Sequence, residues 1–208
     1  MAGHIVLLGD SIFDNAVYVS GAPDVVRQLR SALPEGWRAT LLAVDGAVTG
    51  SVQRQLAAIS GDASLLVVSV GGNDALGEAG LLGQSAGSVG EGMMVLAQAQ
   101  SRFAERYSAM LEAVLGEGLP TALCTIYDAN FPEPEGRVVT AALSLFNDAI
   151  TRAAFSSGLA LIDLRLICAE PGDYANPIEP SEQGGAKIAR AIAALATGSA
   201  TGSQVIAA

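Results

Sequence analysis

One alternation constrains this chain more than any other feature. Short apolar runs recur along it, and stretches with helical periodicity separate them. His4 to Leu8 reads as a first buried strand. Pro23 and Asp24 then open a helix whose apolar positions include Val25, Val26, Leu29 and Leu33. Thr40 to Val44 reads as a second strand. Ser51 caps a helix with Val52, Leu56 and Ile59 on one face. Leu65 to Val70 is a third strand, rich in β-branched residues and suited to burial on both faces. Phe103, Tyr107, Met110, Leu111 and Val114 stand at helical spacing before a fourth strand, Thr121 to Ile126. Val139, Leu143, Phe146, Ile150 and Ala153 do the same before a fifth, Leu159 to Ile162. Ser181 opens a final helix with Ile188, Ile192 and Leu195 inward. The aromatic and Met stripes read as core packing. Five strands alternating with helices predict a parallel sheet covered on both faces. Right-handed crossovers are expected, with ligands at the carboxyl ends of the strands.

Residues 75–100 depart from this pattern. Gly77, Gly80, Gly83, Gly87, Gly90 and Gly92 are expected to break any long helix there. The stretch reads either as a mobile excursion near a site or as a plain surface loop. Phe131-Pro132-Glu133-Pro134 reads as a loop. The 208 residues suit one domain, assigned to residues 1–198. Residues 199–208 form a C-terminal tail, expected to be loosely attached. No internal repeat is visible.

Composition removes several classes of function. Half the residues are apolar, yet the longest purely apolar runs, such as Ile5 to Leu8, fall far short of the about 20 residues that span a bilayer. Strand-like residues begin at His4 with no basic segment before them, so no signal peptide is expected. The net charge is −10, with Lys187 the one lysine and the arginines dispersed. No basic stripe exists to neutralise phosphates, which argues against nucleic acid and against anionic membrane surfaces. Neither a nucleic acid nor a membrane is an expected partner; a small neutral molecule is. Cys124 and Cys168 lie in apolar stretches and read as reduced, buried thiols, whereas a disulfide would suggest export. His4 is the one histidine, and no Cys/His cluster exists to bind zinc. No metal is expected. Without a GxxxxGK[ST] loop, or a GxGxxG after a strand, no nucleotide cofactor is expected either. Together these features point to a cytoplasmic protein.

The chemistry-bearing motifs fall after successive strands. Gly9-Asp10-Ser11 follows the first, where a serine can project its hydroxyl into a site. Asp45-Gly46-Ala47-Val48-Thr49-Gly50 follows the second, and a glycine there lets an N–H approach a ligand oxygen closely. Gly71-Gly72-Asn73-Asp74 follows the third, and the Asn73 amide can donate to a developing oxyanion. Each motif alone also suits an ordinary turn, a helix cap or an Asx-turn. Three in order are far more specific.

Over about residues 4–196 the chain resembles the SGNH hydrolases of the GDSL esterase/lipase family. The resemblance implies a flavodoxin-like three-layer α/β/α sandwich with a five-stranded parallel sheet. It implies that Ser11 is the nucleophile, and that the Ser11 N–H, Gly50 and Asn73 form the oxyanion hole. Gly50 is preferred to Gly46 because Thr49-Gly50-Ser51 leads into a helix, as the family pattern requires. The chain departs from the family at the last block. There the family has Asp-x-x-His-Pro, and this chain has Asn176-Pro177-Ile178-Glu179-Pro180. His4 cannot serve instead, since seven residues of strand place it about 23 Å from Ser11 at 3.3 Å per residue.

Glu179 reaches about as far as a histidine and can accept the Ser11 proton directly. Its ordinary pKa of about 4.3 is low for a base at neutral pH, and burial would raise it. Asn176 is expected to hold the Glu179 carboxylate, as an aspartate holds a histidine. Among the other carboxylates near strand ends (Asp10, Asp14, Asp74 and Asp173), Asp173 ranks next as a base. Asp14 reads as a pin for the loop after Ser11. Two functional readings follow. One is a serine hydrolase acting on small carboxylic esters through Ser11 and Glu179. The other is an impaired pseudoenzyme that binds an acyl or carboxylate ligand in the same cleft. Substrate identity and oligomeric state are left open.

Overall fold

The computed structural model describes residues 2–200. The apolar runs pair into one parallel sheet. Its strands are β1 (His4–Gly9), β2 (Arg38–Leu41), β3 (Leu65–Ser69), β4 (Thr121–Cys124) and β5 (Ala160–Ile162), in the order β2-β1-β3-β4-β5. Val6 stands opposite Thr40 on one side and Leu66 on the other. All six residues of β1 are buried, as a central parallel strand covered on both faces must be. One covering layer is α1 (Val25–Ala32) with α7 (Glu182–Ala196), which packs Val25, Leu29, Ile188 and Ile192 onto Ile5 and Leu7. The other holds α2 (Val52–Leu56), α4 (Val89–Leu115) and α5 (Glu135–Ser156), which pack Phe103, Tyr107, Phe146 and Ile150 onto Leu8, Leu66 and Val68. The expected three-layer α/β/α sandwich is therefore present. Strand order reverses between β1 and β3, and an open parallel sheet has its ligand crevice at the carboxyl edge of such a reversal.

Several boundaries differ from the sequence reading, each for a local reason. β2 covers residues 38–41 rather than 40–44. Leu42 N and Ala43 N both donate to Leu7 O, so the ladder slips by one residue and the strand ends. The α2 helix is only five residues long. A 3-10 turn over Thr49–Ser51 precedes it, and Ser51 Oγ accepts the Val48 N–H of that turn at 3.4 Å and does not cap α2. Residues 75–100 are largely ordered into helix. A short helix, α3 (Gly72–Gly77), leads to a 3-10 segment, Ala79–Gly83, and α4 begins at Val89 despite Gly90 and Gly92. Ser88 Oγ accepts the Glu91 N–H at 3.1 Å, and Glu91 Oε2 accepts the Gly87 N–H at 2.8 Å. This reciprocal cap holds the first turn together. A short helix, α6 (Leu164–Ile167), and a hairpin of β6 (Tyr174–Asn176) with β7 (Glu179–Pro180) complete the chain before α7. Of the expected tail 199–208, residues 201–208 lie outside the described residues, and Ser199 and Ala200 bond back to Ala194 O.

The carboxyl end of β1 is fixed by two features. Gly9 has φ +125°, and a Cβ there would lie 1.7 Å from Ser69 O, so no other residue fits. Gln55, buried on α2, brackets the Gly9 peptide: Gly9 N–H donates to Oε1 and Nε2 donates to Gly9 O, both at 2.8 Å. Gly9 O also accepts the Val44 N–H at 3.0 Å, so it is the Gly9 N–H for which the side chain stands in where β2 has already ended. Gln55→Ala should therefore lower unfolding free energy by about 1–3 kcal/mol, the penalty for leaving a buried N–H unpaired. Urea denaturation measures this, and a change within error of zero would mean that Gly9 finds another partner.

Candidate active site

The backbone turns sharply after Gly9. Asp10 N donates to Ser69 O, while Phe13 N and Asp14 N both donate to Asp10 O. The turn projects Ser11, 6% exposed, toward the β6–β7 hairpin. Ser11 Oγ donates to Glu179 Oε1 at 3.0 Å. The hairpin is tied down on both sides of Glu179. Tyr127 Oη donates to Ile178 O at 2.7 Å, and Asn15 Nδ2 donates to Pro180 O at 3.2 Å. Asn15 is fully buried, and its Oδ1 accepts the Val25 N–H at the start of α1. Sequence reasoning missed both residues. Tyr127 lies just past β4, on the edge where the other motifs fall, and that placement was its available signal. Asn15 carried none beyond being polar in an apolar neighbourhood.

Asn73 lies in the first turn of α3, and its Nδ2 donates one hydrogen to Ala47 O at 3.0 Å. Asp74 accepts both the Thr49 N–H and the Thr49 hydroxyl at 2.9 Å. These bonds latch the loop after β2 onto α3. Gly50 sits in that latched loop but is solvent-exposed and outside the lining of the cavity beside Ser11. The structure thus brings Ser11, Asn73 and Glu179 to one cavity and leaves Gly50 on a neighbouring turn. The N–H groups of Ser11 and Gly50 take no acceptor among the described residues.

Three further expectations meet the structure here. Asn176 does not hold Glu179. It is exposed, and its Oδ1 accepts the Ile178 N–H at 2.9 Å, closing an Asx-turn at the hairpin tip. Glu179 Oε2 is buried and has no hydrogen-bond partner among the described residues. Asp173 is committed elsewhere: Lys187 Nζ lies 2.9 Å from its carboxylate, and the Glu170 N–H and Gln183 Nε2 donate to it. Burial pushes Asp173 up, but those bonds outweigh it and hold the carboxyl below its usual range. Asp14 accepts the Asp45 N–H at 3.0 Å, which pins the loop after Ser11 to the loop after β2. His4 stands at the far end of β1, with Nδ1 3.0 Å from Asp62 Oδ1 and Nε2 2.7 Å from Thr40 Oγ1.

The electrostatics around Ser11 are one-sided. Burial pushes Glu179 up to about 7; the Ser11 hydrogen bond opposes this and the charge of Asp45 adds to it. Asp10 is 3% exposed. Burial raises it, the Ile12 N–H that donates to it opposes the rise, and the nearby Glu179 and Asp74 add to it, which together hold the carboxyl at about 8. Among the described residues, neither carboxylate has a cation within ion-pairing distance. The cavity they border is about 520 Å³. Leu81, Leu96, Ile126, Val139, Leu143 and Phe146 are among its apolar walls, and no Lys, Arg or His lines it. Among the described residues no three His, Cys, Asp or Glu side chains converge to hold a metal ion, and no helix is long and apolar enough to cross a membrane.

The model of the GDSL-like lipase/acylhydrolase family matches residues 7–187. The chain belongs to that family. No curated protein matches it in sequence. Solved structures share its fold. An extracellular lipase from Streptomyces rimosus is 20% identical, covering 96% of this chain and 100% of its own, with a TM-score of 0.65. A phospholipase A1 from Streptomyces albidoflavus is 20% identical over 96% and 100%, with a TM-score of 0.64. A lipase/acylhydrolase from Enterococcus faecalis is 19% identical over 98% and 100%, with a TM-score of 0.65. In this member of the family, Glu179 is the residue hydrogen-bonded to Ser11 Oγ.

Raised carboxyl pKa values make the fold pH-dependent. A group whose pKa is higher folded than unfolded stabilises the fold at low pH and loses that contribution as pH rises. For Glu179 the loss runs from 4.5 to about 7, and for Asp10 from 3.8 to about 8. The melting temperature should fall between pH 5 and pH 9, and the double change Asp10→Asn with Glu179→Gln should flatten that slope. An unchanged slope would place the pH dependence in other groups.

Proposed function

We propose that this protein is a serine esterase acting on uncharged carboxylic esters with an apolar acyl group. Ser11 is the nucleophile and Glu179 the general base. The observation that carries the reading is the buried Ser11–Glu179 hydrogen bond of 3.0 Å at the edge of an apolar cavity. Ionised Glu179 takes the hydroxyl proton as Ser11 Oγ attacks the ester carbonyl. The negative charge that develops on the carbonyl oxygen falls to two donors at the cavity, the Ser11 N–H and the second hydrogen of the Asn73 amide; the Gly50 N–H can join them only by a shift of its neighbouring turn. Glu179 then returns the proton to the departing alkoxide, leaving an acyl group on Ser11. Water, deprotonated by the same carboxylate, releases the acid and restores the serine. A carboxyl raised to about 7 is matched to base catalysis near neutral pH, which an exposed glutamate is not.

The apolar walls support the acyl preference, since each buried methylene contributes about 0.8 kcal/mol, or about fourfold in kcat/KM. Anionic substrates meet Asp10 and Glu179 without a compensating cation. A second reading, a binding protein without turnover, is favoured by one observation: nothing orients Glu179 Oε2. The carboxylate repulsion narrows its ligand to an uncharged acyl compound.

Hydrolysis of p-nitrophenyl esters separates the two. Ser11→Ala should abolish turnover, Asn73→Ala should lower it by about 10²–10³, and Glu179→Gln by about 10²–10⁴. The kcat/KM of the unaltered protein should rise with pH through about 7. No turnover at any pH between 5 and 9, with the acyl ligand still bound, would establish the binding reading.

A further inference from the structure

The cavity beside Ser11 opens through an apolar lip. Leu76, Leu82, Val138 and Ile178 line the cavity and are also exposed. The first two turns of α4 add Val89, 85% exposed, with Met93 at 51% and Met94 at 62%. The topology sets all of these on one edge. The α4 and α5 helices each lead back from the carboxyl edge of the sheet to the strand that follows, so they run parallel with their first turns beside the site. Gln100 Nε2 donates to Leu145 O at 2.9 Å, and the Phe103 and Phe146 rings meet at a tilt with centroids 5.0 Å apart, which fixes their relative height to about one turn. Met93 and Val138 lie equally far before Gln100 and Leu145, so the two stand within about one turn of each other. Val89 lies about one turn further out.

Single exposed apolar residues are ordinary, but a contiguous patch around a cavity mouth marks a docking surface. Two observations identify its occupant. The patch is continuous with a cavity whose walls are mostly apolar, with Glu78 and Glu135 also on its lining, so an acyl chain can follow its apolar side from the docked phase to the nucleophile. The charge around it excludes anionic surfaces. Glu78, Glu91 and Glu135 stand on the same edge, and two nearby arginines are already held, Arg102 by Glu78 and Arg137 by Glu133. The net charge is −10, and no polybasic segment exists to offset it. The sequence argument against a membrane partner rests on that charge, and it reaches anionic surfaces only.

We propose that this lip docks on an uncharged or zwitterionic lipid surface and draws its ester to Ser11 from that surface. The second clause rests on the esterase reading; the docking does not.

The test is flotation of the whole protein with phosphatidylcholine vesicles, beside phosphatidylglycerol vesicles and a p-nitrophenyl acetate assay in free solution. The protein should float with phosphatidylcholine and much less with phosphatidylglycerol. Changing Val89→Gln, Met93→Gln and Met94→Gln together should weaken phosphatidylcholine binding at least tenfold. Turnover of the soluble ester should not change, because none of the three lines the cavity. If the triple variant does not fold, Met93→Gln with Met94→Gln should show a smaller loss in the same direction. Failure of the unaltered protein to float overturns the proposal, as does equal binding by the variants or stronger binding to phosphatidylglycerol. Sedimentation showing a dimer that the triple variant dissolves also overturns it, because a second copy would then cover the lip. Flotation without ester turnover would leave the docking standing and reject the esterase.

Discussion

The hydrogen bond from Ser11 to Glu179 joins residues 168 positions apart in the chain, and both are buried. Much of the architecture at the carboxyl edge serves to make that contact. Gly9 and Gln55 set where β1 stops, and so where Ser11 points. Tyr127 and Asn15 hold the peptides on either side of Glu179. Asp173 anchors the root of the hairpin, accepting the Ser181 N–H through its carbonyl and pairing with Lys187 through its carboxylate. The glutamate is thus placed through its backbone, not through its own carboxylate. That arrangement tolerates an Oε2 with no partner.

The unpartnered oxygen has an energetic consequence. A buried carboxylate oxygen without a donor is costly when charged and much less so when neutral. Burial pushes both Glu179 and Asp10 upward for this reason, and their mutual repulsion raises Asp10 further. A histidine in the place of Glu179 would be neutral and ready as a base above its ordinary pKa of about 6.5. A glutamate reaches a similar working range here because it is buried and no Lys, Arg or His among the described residues lines its cavity. On the proposed reading, the apolar walls that suit an acyl chain are also what raise the carboxylate to a usable base, so substrate preference and base strength would come from the same surface.

The layers of the fold were legible because parallel strands buried on both faces are apolar throughout, and their helices show a stripe of period 3.6. The positions of Ser11, Asn73 and Glu179 were legible because each follows a strand or leads into the last helix. What failed depended on contacts between distant segments. The slip of β2 arises from two N–H groups sharing Leu7 O, which no pattern within residues 38–44 signals. The glycines at 90 and 92 argued against helix, and the cap at Ser88 with packing against α5 overrode them. Asn176 was assigned to Glu179 by spacing alone. A two-residue β7 is too short to show periodicity, so the hairpin that turns Asn176 outward could not be foreseen.

The central claim is that Glu179 activates Ser11. The pH dependence of Ser11 labelling by a fluorophosphonate, followed by mass spectrometry, tests it without assuming any substrate. The account requires the labelling rate to rise through about pH 7 in the unaltered protein, and to be slow and nearly flat with pH in Glu179→Gln. Labelling of Glu179→Gln at the unaltered rate, or none of Ser11 at any pH, would contradict it.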